Sequence, residues 1–354
     1  MKIGLFALAC FMSMAAAAQT RVSVYTPGQN EEGVTYFLPQ TALHVTIEVE
    51  KTTFTPGDFC QYAEKYLRLR GVAAQPSVSW KIKSVKLVPV GVPNKDEAYT
   101  IQLKDKTSAP LVELTDDGIL KAINAHNPNA YGSKEVKPQP AQPAVNPRDY
   151  MTEEILMAGS TAKMAELTAK EIYNIRESKN SLTRGQADYM PKDGESLKIM
   201  LDNLDKQEAA LMQLFVGKSV KETDYVDLQL TPEGNIDQKV LFRFSKKLGV
   251  LDAADLAGDP VYLTLNSMNS VPQSTEEAKA KKKKPEGVVY NVPGKAKVSI
   301  TQGQQKWFEG EVVLAQLGNQ EVLSKKLFDK KTTTQVIIDP TTGGILKISA
   351  DEEK

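Results

Sequence analysis

Few residues in this chain have the side-chain chemistry of an active site. There are two histidines, His44 and His126, and two cysteines, Cys10 and Cys60. A nucleophilic cysteine needs a histidine beside it, and a Ser-His-Asp arrangement would have to use one of these two. Two isolated histidines exclude a His-rich metal site, and neither C-x-x-C nor H-E-x-x-H occurs. G-x-S-x-G, a Walker-type phosphate loop and Asp-rich calcium spacing are absent too. Asp227 with Glu233, or Asp116 with Asp117, carry the groups of a glycoside hydrolase, whose carboxylates stand about 5–9 Å apart. Acid pairs are common in a chain with 44 Asp and Glu, and Asp116-Asp117-Gly118 reads more simply as a turn. Trp80 and the neighbours Trp307 and Phe308 are candidates for stacking on sugar rings; the plainer reading is core or cross-strand packing. On this basis no catalytic residue, metal or cofactor is assigned, and a non-enzymatic role is expected.

The address is easier to read. Lys2 followed by the apolar run Ile3–Met14 and by Ala16-Ala17-Ala18 has the layout of a secretory signal cleaved after about Ala18. A lipoprotein signal ending at Cys10 is the alternative. Ala7 stands where such signals usually carry a larger aliphatic residue, so a soluble exported protein of the periplasm or envelope is expected. Cleavage would leave Cys60 as the only cysteine, so packing rather than a disulfide must hold the mature chain together. Within Phe59-Cys60-Gln61-Tyr62-Ala63 it reads as a small buried hydrophobe. The 354 residues carry 44 basic and 44 acidic side chains, a balance unlike that of a nucleic-acid binder. No later segment approaches the roughly 20 apolar residues of a membrane-spanning helix.

The elements that would position these groups follow from hydrophobic period. From Arg21 to about Leu114 the period is two: Val45, Ile47 and Val49 alternate with His44, Thr46 and Glu48, and Trp80, Ile82 and Ser84 continue the pattern. One helix interrupts it, with Phe59, Tyr62, Ala63, Tyr66 and Leu67 on one face and Gly71 as its expected stop. Residues 136–149 contain a proline-rich linker. Over 150–217 the period becomes helical. Met151, Ile155, Ala158, Ala162, Ala165, Ala169 and Ile172 form one seam, and Leu197, Leu201, Leu204, Leu211 and Phe215 form another, interrupted by Glu208. The connector 180–192 contains Gly185 and Pro191, so an antiparallel helical hairpin is expected. Strand periodicity returns from Asp224, around a Lys-rich loop at 276–287. The lysine run 281–284 is a solvated loop in the plain reading and a polyanion-binding patch in the other.

Two motifs recur in the same order. Gly33-Val34-Thr35-Tyr36-Phe37-Leu38-Pro39 is echoed by Gly287-Val288-Val289-Tyr290-Asn291-Val292-Pro293. Residues 114–121, LTDDGILK, are echoed by 339–347, DPTTGGILK. Together they suggest duplicated β-modules, which would then superpose.

The segments GVTYFLPQTALHVTIEVEKT, FCQYAEKYL and VLFRFSKKLGVLDAADLAGDPVYL, with GVVYNVPGKAKVSI and VIIDPTTGGILKI, resemble an uncharacterised exported family. That family is a domain of unknown function from gut-type anaerobic Gram-negative bacteria. The resemblance implies an envelope location and supplies no ligand or catalytic residue. The expected architecture is α+β: an N-terminal β-rich module (19–135) and a C-terminal one (218–354) flank the hairpin (150–217). The leading expectation for function is an envelope scaffold or protein-binding module. A glycan-binding module using Trp80, Trp307 and Phe308 is the alternative, and a hydrolase comes third.

Overall fold

The computed structural model describes residues 21–25, 33–102, 111–128, 145–272, 287–324, 327 and 332–352. The expected signal at 1–18, most of the proline-rich linker and the lysine run lie outside the described residues. In chain order the elements are β1 (Arg21–Val24), β2 (Val34–Thr55), α1 (Ala63–Leu67), β3 (Ser77–Gln102), β4 (Val112–Leu114), β5 (Leu120–Ile123), α2 (Glu153–Leu156), α3 (Thr161–Thr183), α4 (Gly194–Val216), β6 (Lys218–Leu230), β7 (Ile236–Ser245), β8 (Gly249–Leu251), β9 (Asp259–Ser267), β10 (Gly287–Gln302), β11 (Gln305–Ser324), β12 (Thr332–Ile338) and β13 (Ile345–Glu352). The result is a mixed α/β protein with three antiparallel sheets and two long helices. The sheet orders are β1-β3-β2-β6, β11-β10-β9-β7-β8 and β13-β12-β5-β4. The two β-rich stretches of the sequence share these sheets, since β6 pairs with β2 and β12 with β5.

Alternation along β2 does what a half-buried strand should do. Leu43, Val45, Ile47 and Val49 are buried and the residues between them are not. They meet Phe242, Val261, Leu263, Val298, Ile300 and Leu314 from the five-stranded sheet in the larger core. A second core joins Tyr36, Leu38, Tyr99 and Ile101 to Val288, Val289, Leu323, Val336 and Ile338. The 22-residue β2, the 26-residue β3, β10 and β11 each contribute to both cores.

Serving two cores requires a break in register, and proline supplies the occasion because it cannot donate to the ladder. Phe37 pairs with Ala98 and Pro39 with Pro93, so residues 94–97 of β3 bulge opposite Leu38 alone. In the other hairpin Val292 pairs with Asn319 and Gly294 with Leu314, so residues 315–318 of β11 bulge opposite Pro293. The backbone N–H groups of Phe37 and Asn291 each reach a glycine carbonyl, Gly118 at 2.9 Å and Gly343 at 3.0 Å.

The helices differ from the sequence expectation in two places. α1 ends at Leu67, not near Gly71, because Arg68 takes a left-handed conformation (φ 58°) and Leu69 N–H closes back on Ala63 O at 3.2 Å. That closure is a Schellman-type stop, and it lets Leu69 turn back onto the helical core. The seam expected to run unbroken from Met151 to Ile172 is interrupted between α2 and α3. There Ser160 adopts an extended conformation and its Oγ caps Lys163 N–H at 3.3 Å, starting a new helix. α4 is capped at both ends by local sequence, with Asp193 Oδ1 accepting from Ser196 N at 2.7 Å and Gly217 at φ 82°.

α3 and α4 lie side by side through Ala165, Ala169 and Ile172 against Leu211, Leu214 and Phe215. Their inner end is locked to the β frame. Phe59 N–H donates to Leu214 O at 2.7 Å, and a Cβ on Gly57 would come within 2.3 Å of that same carbonyl. Glu208, which interrupts the leucine seam, is satisfied across the pair. It accepts from Arg176 Nε at 2.6 Å and from Lys179 Nζ at 2.9 Å.

Burial pushes the Glu208 carboxyl up, but the hydrogen bonds from Lys179 and Arg176 outweigh it and hold the group below its ordinary value of 4.5. A depressed carboxylate contributes stability that is complete above 4.5 and fades as pH falls through the lower folded value. Glu208→Gln should therefore cost about 1 kcal/mol at neutral pH. It should also flatten the loss of helical signal as pH falls below 4.5 in acid titrations followed by circular dichroism. An acid limb unchanged from the parent would assign that loss to other carboxylates.

Candidate functional site

The two bulges face each other across a cleft. The bulge of β3 brings Asn94 and Glu97, β2 brings Gln40 just after Pro39, and β11 brings Gln316 and Gln320. The open cleft has a volume of about 500 Å³, within the range of small-molecule sites. A bulge re-aims side chains that a regular strand would alternate from face to face, and here two of them turn polar groups into one space.

The walls are held by hydrogen bonds that span the two hairpins. Gln316 Oε1 accepts from Thr41 N–H at 3.0 Å, and its Nε2 donates to Thr41 O at 2.8 Å and Pro232 O at 2.7 Å. The buried Thr41 hydroxyl donates to Thr341 O at 2.9 Å and accepts from Ala315 N–H at 3.0 Å. Asn291 Nδ2 donates to Pro39 O at 3.1 Å and Thr342 O at 2.9 Å. These groups are spent on structure.

Others are not. Among the described residues, the carboxamides of Gln40 and Gln320 have no hydrogen-bond partner, and Asn94 uses only its Oδ1, which accepts from Asp96 N–H at 3.1 Å. Tyr99 donates its hydroxyl to Glu97 Oε2 at 2.6 Å. Burial first, and then the Glu97 carboxylate, push the Tyr99 phenol above its ordinary value, so it stays protonated and keeps Glu97 in place. The cleft thus offers carboxamide donors and acceptors and one oriented carboxylate, with no lysine or arginine among the described residues of its lining. A second cavity of about 510 Å³ shares the Asn291 wall and is lined mainly by apolar groups, including Val313, Leu346 and Ile348.

The aromatic candidates lie elsewhere. Trp80, Trp307 and Phe308 are half-buried and pack on the larger core. Trp80 rests against Gly249 of β8, at one edge of the five-stranded sheet, while Trp307 and Phe308 belong to β11, at the other edge. They form no shared platform. His44 Nε2 lies 3.2 Å from Asp227 Oδ1, which also accepts from Thr46 Oγ1 at 2.6 Å. His126 Nδ1 lies 3.2 Å from Glu113 Oε2. Glu113 is itself held below the ordinary carboxylate range, chiefly by Lys121 and then by Asn127 N–H. Asp116 and Asp117 occupy the turn in which Gly118 N–H returns to Thr115 O at 2.9 Å. Cys60 is half-buried in a short turn before α1. Among the described residues, no cluster of three or more His, Cys, Asp or Glu could hold a metal ion, and no helix is long and apolar enough to cross a membrane.

The cleft residues were not singled out from sequence. Asparagine and glutamine at a bulge carry no motif of their own; the one available signal is the echoed proline, Pro39 beside one register break and Pro293 at the other, which in the sequence reads only as part of a repeat.

The structure thus defines a mixed α/β protein in which two bent β-hairpins enclose a polar cleft and two long helices are anchored at one end. The chain belongs to the family described as Domain of unknown function (DUF4831), whose family model matches residues 32–346. This bears out the resemblance to a domain of unknown function read from its segments. No curated protein and no solved structure matches the chain.

Proposed function

We propose that this chain is an exported, non-enzymatic scaffold of the cell envelope, in which α3 and α4 form an antiparallel hairpin arm that binds a protein partner. Exposed apolar side chains on this helical unit carry the reading: Tyr189 is 72% exposed and Ile199 56%, while Phe215, Leu211 and Ile172 between the helices are fully buried. Apolar side chains left in water on such an arm are what a protein contact would cover. The frame on this reading is a pair of duplicated β-modules. The similar bulges of β3 and β11, and the bonds from Phe37 to Gly118 and from Asn291 to Gly343, one residue before the echo's counterpart of Gly118, support that. Export rests on the signal-like sequence 1–18.

A photo-crosslinking residue at Tyr189 or Ile199, installed in the full chain in the producing cell, is expected to yield one discrete heavier species. The same residue at Leu256, an exposed apolar position on the frame (82% exposed), is expected not to yield it. Identical products from all three positions, or none from the arm, would sink the scaffold reading.

A further inference from the structure

We infer that the cleft between the two bulges is a binding site for a neutral saccharide. This goes beyond the scaffold reading and uses none of the arm. With no cationic side chain among the described residues that line it, the cleft offers little to hold a phosphate or carboxylate, and a single carboxylate already engaged by Tyr99 is a poor cation site. What remains is hydrogen-bonding capacity without net attraction for charge. Each of Gln40 and Gln320 presents two N–H donors and one carbonyl acceptor, and Asn94 keeps its Nδ2 donor. A carboxamide meets adjacent hydroxyls with one donor and one acceptor at once. The unshared oxygen of Glu97 can accept from a further hydroxyl.

The pre-organisation argues the same way. Gln316, Asn291 and Thr41 clamp the walls from both hairpins, so the free carboxamides project from a backbone that binding need not order. Gln40 and Gln320 are half-buried, and their carboxamides stay open to solvent and so to a polar ligand. A volume near 500 Å³ accommodates one or two sugar rings. Leu38 and Ala315 add a small apolar surface beside these groups, suited to the C–H faces of a ring.

The test uses the full exported chain on a printed array of neutral oligosaccharides, followed by calorimetric titration with the strongest printed sugar. Triglycine and inorganic phosphate serve as the other probes. Binding of a neutral sugar is expected. The double variant Gln40→Ala, Gln320→Ala should weaken it by about tenfold or more, the loss expected when two ligand-facing carboxamides go. Its urea midpoint should match that of the parent, since neither side chain holds the fold. Glu97→Gln should weaken binding less, because the amide keeps one acceptor. The proposal is overturned if no neutral sugar binds, if the double variant binds as well as the parent, or if triglycine or phosphate binds in place of sugar. Cross-linking through Tyr189 and Ile199 should be unaffected by the double variant, so failure of the saccharide site and failure of the scaffold reading give different results.

Discussion

Phe215→Ala is expected to lower the unfolding free energy by about 3–5 kcal/mol, the usual cost of emptying a fully buried phenylalanine site. Phe215 has no solvent exposure, and its ring stands edge-on to Phe59 with centroids 5.5 Å apart. The partners around it come from α1, α3 and α4, so the cavity would open where the helices meet the β frame. Gly57 and Gly217 admit no Cβ at this junction, which leaves the backbone little room to collapse into the void. The loss should therefore appear first as local detachment. Native-state hydrogen exchange should show amides of α3 and α4 losing protection by orders of magnitude, while those of β9 and β10 change much less. Equal loss in both regions would mean that helices and frame unfold as one unit. Phe215→Leu, which keeps most of the volume, should cost less than about 1.5 kcal/mol.

Tyr36→Phe removes one oxygen and is expected to cost about 2–4 kcal/mol, because each buried backbone group left without a partner costs about 1–3 kcal/mol. The Tyr36 hydroxyl donates to Val289 O at 3.1 Å and accepts from Val289 N–H at 3.0 Å, in the interior of the smaller core. The phenylalanine ring would keep the packing on Tyr99, whose centroid lies 5.8 Å away. A urea midpoint shifted by only a few tenths of a kcal/mol would mean that Val289 finds other partners. The alkaline limb should move too. Burial, against the backbone bond to Val289, pushes the Tyr36 phenol above its ordinary value of 10.0. Stability from such a group is complete below pH 10 and is lost as pH rises toward the folded value. Tyr36→Phe should lessen that decline and leave the part due to Tyr99. This is the smaller of the two effects, yet it tests the contact that ties β2 to β10 more directly.

Much of the local structure was legible in the chain. The alternation of Leu43, Val45, Ile47 and Val49 identified both a strand and its inner face, since side chains on a strand have a period of two whatever lies opposite. Asp193 and Gly217 marked the ends of α4 because capping involves only neighbours in sequence. Asp116-Asp117-Gly118 was recognisable as a turn for the same reason. The echoed GVxYx(L/V)P segments read only as a sign of duplication; that each lies where a long strand changes register is visible in the structure alone.

The helix ends that departed from expectation were settled by competition with nearby packing. Arg68 accepts a left-handed conformation because Leu69 gains a place in the helical core, and Ser160 restarts a helix that the seam alone would have continued.

Local sequence determined which residues face inward, where turns and caps fall, and that catalytic motifs are lacking. Tertiary structure alone decided that β6 pairs with β2 and β12 with β5, through partners such as Leu43 with Leu230 and Ile123 with Val336. It also decided that Glu208 meets Arg176 and Lys179, and that Gln40, Asn94, Glu97 and Gln320 share one cleft. Period and capping are properties of a few consecutive residues. The chemistry of a glutamine on a strand depends on what the facing strand leaves unpaired, and that is settled only when distant segments close on each other.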